Sequence, residues 1–139
     1  MPDNIILRAM NKEKIHIEYL LNASSRNILW SALSTPSGLE NWFANKVVKI
    51  QEKIFSFKWG KTESRDAEII NFRVNSFIRF HWLDDEDDPK TYFEFKINFN
   101  ELTNDFVLEI TDFAEPDEVD DQIGLWKSQI ETLKRVSGM

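Results

Sequence analysis

Apolar residues recur at every second position in two stretches of the second half of this chain. In residues 92–99, Phe93, Phe95, Ile97 and Phe99 share one face of an extended strand, whereas tyrosine, charged and amide side chains share the other. Residues 106–113 repeat the pattern. A period of two is typical of a sheet with one buried and one solvated face. The pattern therefore predicts an antiparallel sheet whose apolar face must be covered.

Shorter alternating stretches predict further strands of the same sheet. The first covers residues 14–22, and others include residues 55–59 and 78–82. The side chains expected on the buried face of these three strands are Ile15, Ile17, Tyr19, Leu21, Phe55, Phe57, Trp59, Ile78, Phe80 and Trp82.

Two strands have less certain faces. Val48 and Ile50 are expected to face inward, opposite Phe57 and Phe55 respectively, in a hairpin with a four-residue loop. In residues 67–74 the alternation is interrupted because Ile69 is followed directly by another isoleucine. A β-bulge and burial on both faces are both consistent with that interruption.

Charged residues predict the register of two hairpins. If Arg79 lies opposite Glu94, and Lys96 lies opposite Glu109, opposite charges meet on the solvated face. Each such pair contributes about 0.2–1 kcal/mol. The same registers bring apolar side chains together on the other face: Phe80 with Phe93, Ile78 with Phe95, Ile97 with Leu108, and Phe95 with Ile110.

Helices are predicted in two places. Two short helices follow the first strand, one capped by Ser24 or Ser25 and the next beginning at Thr35-Pro36. A long final helix is predicted over about residues 117–136, with acidic residues at its start and basic residues near its end. Its apolar stripe is expected to be Val119, Ile123, Trp126, Ile130 and Leu133.

Composition narrows the class of protein. A chain of 139 residues without long linkers predicts a single domain over residues 1–139. The absence of cysteine excludes disulfides, thiolate zinc sites and a cysteine nucleophile. A net charge of −7 with scattered Lys and Arg argues against nucleic acid as a partner. Without a secretory start or an apolar run of about 18 residues, we expect a cytoplasmic protein that does not insert into membranes.

Several segments together resemble a known superfamily. Residues 35–44 contain Thr-Pro, Leu39 and Trp42-Phe43, the strand near residue 80 ends in Phe-His-Trp82, and the final helix carries Gly124-Leu-Trp126 and Leu133. This pattern, which runs from about residue 14 to residue 133, resembles the START-like (SRPBCC) helix-grip superfamily. Within it, the chain is most similar to homologues of the activator of the heat-shock chaperone ATPase.

The resemblance implies an α+β fold in which a curved antiparallel sheet wraps around a long C-terminal helix, with two short helices after strand 1. It also implies an apolar pocket between sheet and helix for a small hydrophobic molecule. A solid interior filled by the large rings is an equally open alternative. The residues predicted to line the pocket are Tyr19, Phe55, Phe57, Trp59, Ile78, Phe80, Trp82, Phe93, Phe95, Ile97, Leu108, Ile110, Asp112, Trp126 and Ile130.

Asp112 and Tyr19 are the polar members of this set. Asp112 follows the inward phase of its strand, so it is a candidate acid or ligand-orienting group at the mouth of the pocket. A frayed strand end with a solvated carboxylate is the simpler interpretation, and we favour it. For Tyr19, a hydroxyl bonded to the backbone is the commoner case.

The remaining polar motifs predict no catalytic or metal site. His16 and His81 fall on outward phases, without a serine or cysteine partner at a familiar spacing. The acidic run 84–88 is interpreted as a solvated hairpin tip. Trp42 and Phe43, with Leu39, suit either a lid or packing beneath the sheet, and we favour packing.

The sequence therefore favours a binding protein over an enzyme, with no cofactor expected. A small hydrophobic ligand is the first hypothesis. A co-chaperone-like module that contacts a protein partner is the second, and a cyclase- or dehydratase-like enzyme is the third.

Overall fold

The computed structural model describes residues 12–85 and 91–139. Within these residues the chain forms seven strands and three α-helices, with a 3₁₀ turn before the last helix. In chain order the elements are β1 (Glu13–Leu21), α1 (Arg26–Ser34), α2 (Pro36–Glu40), β2 (Lys46–Gln51), β3 (Ile54–Trp59), β4 (Glu63–Arg73), β5 (Phe77–Trp82), β6 (Phe93–Asn100), β7 (Asp105–Ala114), the 3₁₀ turn (Pro116–Glu118) and α3 (Val119–Ser137).

The strands form one antiparallel sheet in the order β1-β7-β6-β5-β4-β3-β2. Strands β2 to β7 are successive hairpin neighbours, and β1 joins the sheet beside β7. The predicted fold class is confirmed, including the two short helices after the first strand and the long final helix.

Both predicted hairpin registers are confirmed. Arg79 lies opposite Glu94, and its Nε donates to Glu94 Oε2 at 2.8 Å. Lys96 lies opposite Glu109 in the β6–β7 pair. A slip of one residue would exchange the buried and solvated faces, so the alternating pattern determines these registers strongly.

The predicted face of β2 is wrong. Val47, rather than Val48, is buried and lies opposite Phe57, whereas Val48 and Ile50 are exposed on the outer face. Two adjacent valines leave the phase of a short strand ambiguous. A register irregularity between residues 49 and 51 then closes the turn into β3. Because β2 is an edge strand, Lys49 can share the inner phase and still reach water.

The irregular stretch in β4 contains a bulge. Ile69 lies opposite Phe80 and Asn71 lies opposite Arg79, so Ile70 is the extra residue. Ile69 packs against the core, whereas Ile70 is exposed. Of the two alternatives left open by the sequence, the bulge is the one adopted.

The caps of the short helices follow the predicted chemistry. Ser25 Oγ accepts from the Ile28 N–H at 3.2 Å at the start of α1. Thr35 Oγ1 accepts from the Gly38 N–H at 3.0 Å, and Pro36 occupies the first turn of α2. These bonds satisfy backbone donors that the first helical turn leaves unpaired.

Only part of the predicted stripe on α3 is buried. Trp126, Ile130 and Leu133 are buried, whereas Ile123 is 36% exposed and Val119 is half-buried. The first two turns of α3 therefore bury no side chain completely, and they leave space between the helix and the sheet. Within the described residues, no helix is both long and apolar enough to span a membrane.

Phe43 lies at the centre of an aromatic core. Its ring centroid is 5.2–6.5 Å from those of seven other aromatic side chains. It stacks nearly parallel to Trp126 of α3 and Phe93 of β6, which sit at 5.6 Å each. Leu39, Trp42 and Phe43 are all buried, so the packing interpretation of this segment is confirmed.

Candidate functional site

Asp112 is a buried carboxylate near the end of β7. Its residue is 7% exposed, and the strand continues in register with β1 through Ala114. The expectation of a frayed strand end is therefore wrong, because β1 supplies the missing hydrogen-bonding neighbour. The inward phase predicted for this side chain is observed.

Three donors hold the Asp112 carboxylate. Oδ1 accepts from the Phe113 N–H at 2.8 Å, and Oδ2 accepts from Gln122 Nε2 and Trp126 Nε1, each at 2.8 Å. Two of the donors belong to α3, so this side chain joins the end of β7 to the first half of the helix. The contacts explain why Trp126, with a polar N–H, can be buried at this position.

Burial and hydrogen bonding act on Asp112 in opposite directions. Burial raises the pKa of Asp112 above its ordinary value, because a charged carboxylate loses its hydration there. The bonds from Trp126, Phe113 and Gln122 favour the carboxylate and reduce this rise in pKa. None of the three donors carries a charge, so the negative charge has no cation at hydrogen-bond distance among them.

Asp112 borders two clefts at the end of the sheet near the start of α3. Their volumes are about 490 Å³ and about 370 Å³. We call the larger the acidic cleft and the smaller the tryptophan cleft. Arg65, Trp82, Asp112 and Gln122 line both, so the two spaces are adjacent.

Charged side chains dominate the acidic cleft. Arg65 donates two hydrogen bonds of 2.7 Å to Asp84, and Lys12 contacts Asp85 at 2.8 Å. The Arg65 bond lowers the pKa of Asp84. Burial opposes a fall in the pKa of Asp85, but bonds from Lys12 and Thr91 still lower it. The other described carboxylates at this cleft belong to Asp112, Glu115 and Glu118.

Four aromatic side chains contribute to the wall of the tryptophan cleft, which also includes the charged side chains of Glu63 and Arg65. Trp59, Trp82 and Trp126 line it together with Phe43 and Leu125. The Phe43 carbonyl accepts from Trp59 Nε1 at 2.8 Å and from Gln129 Nε2 at 3.0 Å. These bonds fix the wall, because they tie the turn after α2 to β3 and to α3.

The predicted pocket residues separate into three groups. Trp59, Trp82, Asp112 and Trp126 line the clefts. Tyr19 is half-buried on β1, where burial and the nearby Glu131 carboxylate raise its pKa, and it lies away from both clefts. The others pack within the core rather than along a cleft: Phe55, Phe57, Ile78, Phe80, Phe93, Phe95, Ile97, Leu108, Ile110 and Ile130.

Most cleft residues were not predicted as pocket lining, among them Gln122, Gln129, Arg65 and Leu125. Gln122 and Gln129 lie four residues before and three residues after Trp126, so helical spacing places them on the same side of α3. Arg65 shares the inward phase of Ala67, which pairs beside Phe55. The helical spacing of the two glutamines and the strand phase of Arg65 can both be read from the sequence. Leu125 carries no such signal, because it falls outside the apolar stripe of the helix.

The two histidines lie apart from the clefts. His16 Nε2 is 3.4 Å from Glu18 Oε1 and 3.2 Å from Glu109 Oε1, on the solvated face of β1 and β7. Among the described residues, these three side chains form the group whose nitrogen and oxygen atoms are close enough to share a metal ion. His81 Nδ1 is 2.8 Å from the Thr91 carbonyl. In the acidic run, residues 86–88 lie outside the described part of the chain.

Residues 9–139 match the family model described as a START-like superfamily domain. A protein from Bacteroides fragilis, whose structure was determined by NMR in solution, is 63% identical to this chain. The match covers 90% of both chains with a TM-score of 0.63. No protein of curated function matches the sequence.

More distant solved structures share the fold. The Aha1 dimer from Colwellia psychrerythraea is 18% identical, with a TM-score of 0.74 over 90% of this chain and 96% of that one. DynU16, a protein in the dynemicin biosynthetic locus, is 14% identical, with a TM-score of 0.72 over 88% of this chain but 46% of its own. The predicted superfamily is confirmed, and the likeness to Aha1 extends to the fold alone.

Proposed function

Because this chain belongs to the START-like superfamily, we propose that it binds a small, mainly aromatic molecule in the tryptophan cleft, with Asp112 beside the bound molecule. The observation that carries the proposal is the composition of this cleft. Three tryptophans and a phenylalanine surround a single buried carboxylate, next to amide groups of α3. Ligand sites combine a mostly apolar wall with a few placed polar groups in this way.

Size also supports a small ligand. Clefts of about 370 Å³ and about 490 Å³ fall within the range of about 300–1,000 Å³ typical of small-molecule sites. The interior between sheet and helix is occupied by the rings that surround Phe43. The proposed site therefore lies at the end of the sheet near the start of α3, and not in the middle of the space between the sheet and the helix.

A fluorescence titration with N-phenyl-1-naphthylamine tests the proposal. This neutral aromatic probe brightens in an apolar site, and the cleft tryptophans provide a second signal through quenching. We expect saturable binding to the unmodified protein. Leu125→Glu, which places a charge in the tryptophan cleft, should weaken binding by about tenfold or more, since the bound probe would have to cover that charge and remove its hydration.

Val136→Glu is the matched control. Leu125 and Val136 are both 52% exposed and both lie on α3, but Val136 lines neither cleft. The control should bind the probe as the unmodified protein does. If the unmodified protein does not bind the probe, or if both variants bind it unchanged, the tryptophan cleft is not the site.

The filled core favours a second candidate, a co-chaperone-like module that acts through its outer surface. It predicts no saturable probe binding and no enclosed ligand in native mass spectra. An enzyme would need converging polar groups, and the two proposed from sequence, Tyr19 and Asp112, do not line a common cleft. The cytoplasmic location expected from the sequence stays a prediction.

A further inference from the structure

We propose that the ligand is an aromatic amine, whose protonated amino group lies in the acidic cleft beside Asp112 while its ring occupies the tryptophan cleft. This inference rests on the proposed function and adds the charge and shape of the ligand. It follows from the arrangement of charges around Asp112 and from the side chains that the two clefts share.

The acidic cleft carries a surplus of negative charge. Its described lining includes five carboxylate side chains and two cationic ones. Both cations already have a carboxylate partner, because Arg65 binds Asp84 and Lys12 binds Asp85. The positive charge of Arg65 also favours the carboxylate form of Asp112, but among the described residues the hydrogen bonds to Asp112 come from uncharged donors. A cationic ligand would therefore meet a described lining with more carboxylates than cations.

Asp112 provides the specific contact. Its charge is buried, and a buried charge is stabilised most effectively by a hydrogen-bonded opposite charge. A carboxylate offers about four acceptor positions, of which the Phe113, Gln122 and Trp126 donors use three. Among the described residues, Oδ1 accepts only from the Phe113 N–H, so an ammonium N–H can occupy its remaining position.

Aromatic faces near this carboxylate also favour a cation. Arg65 lies 4.1 Å from the centroid of the Trp82 ring, and Arg79 lies 3.9 Å from that of Tyr92. Trp82 lines both clefts, and Tyr92 lines the acidic one. Positive groups therefore already rest on the rings of this wall, as expected for cation–π attraction.

The two clefts are contiguous enough for one ligand. The side chains of Asp112 and Gln122 border both spaces, so a ring and an amino group separated by one or two carbons can lie on either side of them. A carboxylic acid of the same shape would place a second negative charge beside Asp112. The site should therefore discriminate by charge among ligands of equal size.

Three naphthalene compounds of nearly equal shape test this inference. They are 1-naphthylmethylammonium, 1-naphthylmethanol and 1-naphthoate, titrated at pH 7 and followed by tryptophan quenching. We expect the ammonium to bind about 10–100-fold more tightly than the alcohol, the range for a hydrogen bond to a charged group. The carboxylate should bind most weakly.

Variants identify the source of the preference. Asp112→Asn should remove most of the difference between ammonium and alcohol, and Glu118→Gln in the acidic cleft should reduce it. Asp121→Asn changes net charge equally but lines neither cleft, so it should leave the preference intact. Glu118→Gln serves as the test if Asp112→Asn does not fold, as judged by circular dichroism.

The outcomes separate the two proposals. Equal binding of all three compounds, sensitive to Leu125→Glu, would keep the tryptophan cleft as a site and overturn the amine inference. No binding of any compound would overturn both. A preference for ammonium that survives Asp112→Asn and Glu118→Gln would assign it to the overall charge and refute the role of the acidic cleft.

Discussion

At the scale of single residues, Asp112 shows two effects that compete. Its three neighbours are all donors, which suits a carboxylate that only accepts. Its burial nevertheless raises the pKa of Asp112, because these donors and the nearby Arg65 charge offset only part of the lost hydration. The site therefore keeps a carboxylate at a cost in stability, as is common where a charged group is retained for binding.

This raised pKa predicts the pH dependence of stability. A group whose pKa is higher in the folded state stabilises the fold most at low pH, and that contribution is lost as pH rises through the folded pKa. Asp112→Asn does not titrate. The free energy of unfolding of the unmodified protein, relative to that of Asp112→Asn, should therefore fall as pH rises from the acidic range to neutrality.

Urea unfolding of both proteins across that pH range measures the difference. Taking the difference cancels the titration of the other acidic residues, including Asp84 and Asp85, which the two proteins share. A relative stability that rises with pH would mean that the three donors outweigh burial and that the pKa of Asp112 is lowered.

The sequence predicts those features of Asp112 that depend on residues near it in the chain, but not those that depend on distant ones. The inward phase of Asp112 follows from its own strand. Its burial depends on β1, because Ile15 lies opposite Asp112 and extends the sheet beside it. The donors on α3 are ten and fourteen residues away. Local periodicity carries no information about either neighbour.

At the scale of elements, the corner between α1 and α2 is tightly packed. A Cβ atom placed on Gly38 would lie 2.1 Å from the Ser31 carbonyl oxygen and 2.7 Å from the Ala32 Cα. Both are backbone atoms, so neither can move aside easily. The close approach allows Thr35 to cap α2 while its hydroxyl donates to the Ser31 carbonyl.

Gly38→Ala should therefore destabilise the protein by about 1–3 kcal/mol or more, the typical cost of overpacking. Gly124→Ala is the matched control, because Gly124 lies in α3 and a Cβ atom placed on it would meet open space. That control should stabilise the protein by about 0.5–1 kcal/mol through helix propensity. Thermal and urea unfolding measure both. Equal effects of the two substitutions would contradict the packing described for this corner.

The elements themselves were predicted well where the pattern was unambiguous. The caps, the two charged registers and the faces of β1, β5, β6 and β7 follow from local chemistry. The face of β2 does not, since its adjacent valines fit either phase and packing against α2 selects Val47. The apolar stripe of α3 likewise does not show how much of the helix is buried, because that depends on which residues of the sheet pack against it.

At the scale of the whole molecule, the Phe43 side chain determines whether the space between the sheet and α3 is filled or empty. The inward faces predicted by periodicity are observed, but periodicity does not measure how much space those faces enclose. Here a ring from the turn after α2 enters between sheet and helix and contacts aromatic side chains of both. A smaller side chain at this position would change the volume of the interior.

Phe43→Ala should destabilise the protein by about 3–5 kcal/mol, the range for removal of a buried phenyl ring. It should also open a cavity continuous with the tryptophan cleft, which Phe43 lines, and strengthen binding of small neutral aromatics such as benzene. Phe99→Ala removes a ring that is 41% exposed, so it should cost less and leave benzene binding unchanged.

Urea unfolding and benzene-dependent thermal shifts measure these effects. If Phe43→Ala costs no more than Phe99→Ala, the ring does not support the core as described. If benzene fails to stabilise a folded Phe43→Ala variant, the surrounding side chains have collapsed into the space.

The placement of β1 beside β7 also has a consequence for the order of folding. Strands β2 to β7 join sequential neighbours, so each pairing closes a short loop. The β1–β7 pairing joins segments that are far apart in the sequence, such as Ile15 and Asp112, and contacts of such sequence separation form slowly. The β2–β7 meander can therefore form first. Asp112 becomes fully buried only when β1 pairs with β7. Binding activity should be the last property that a refolding molecule acquires.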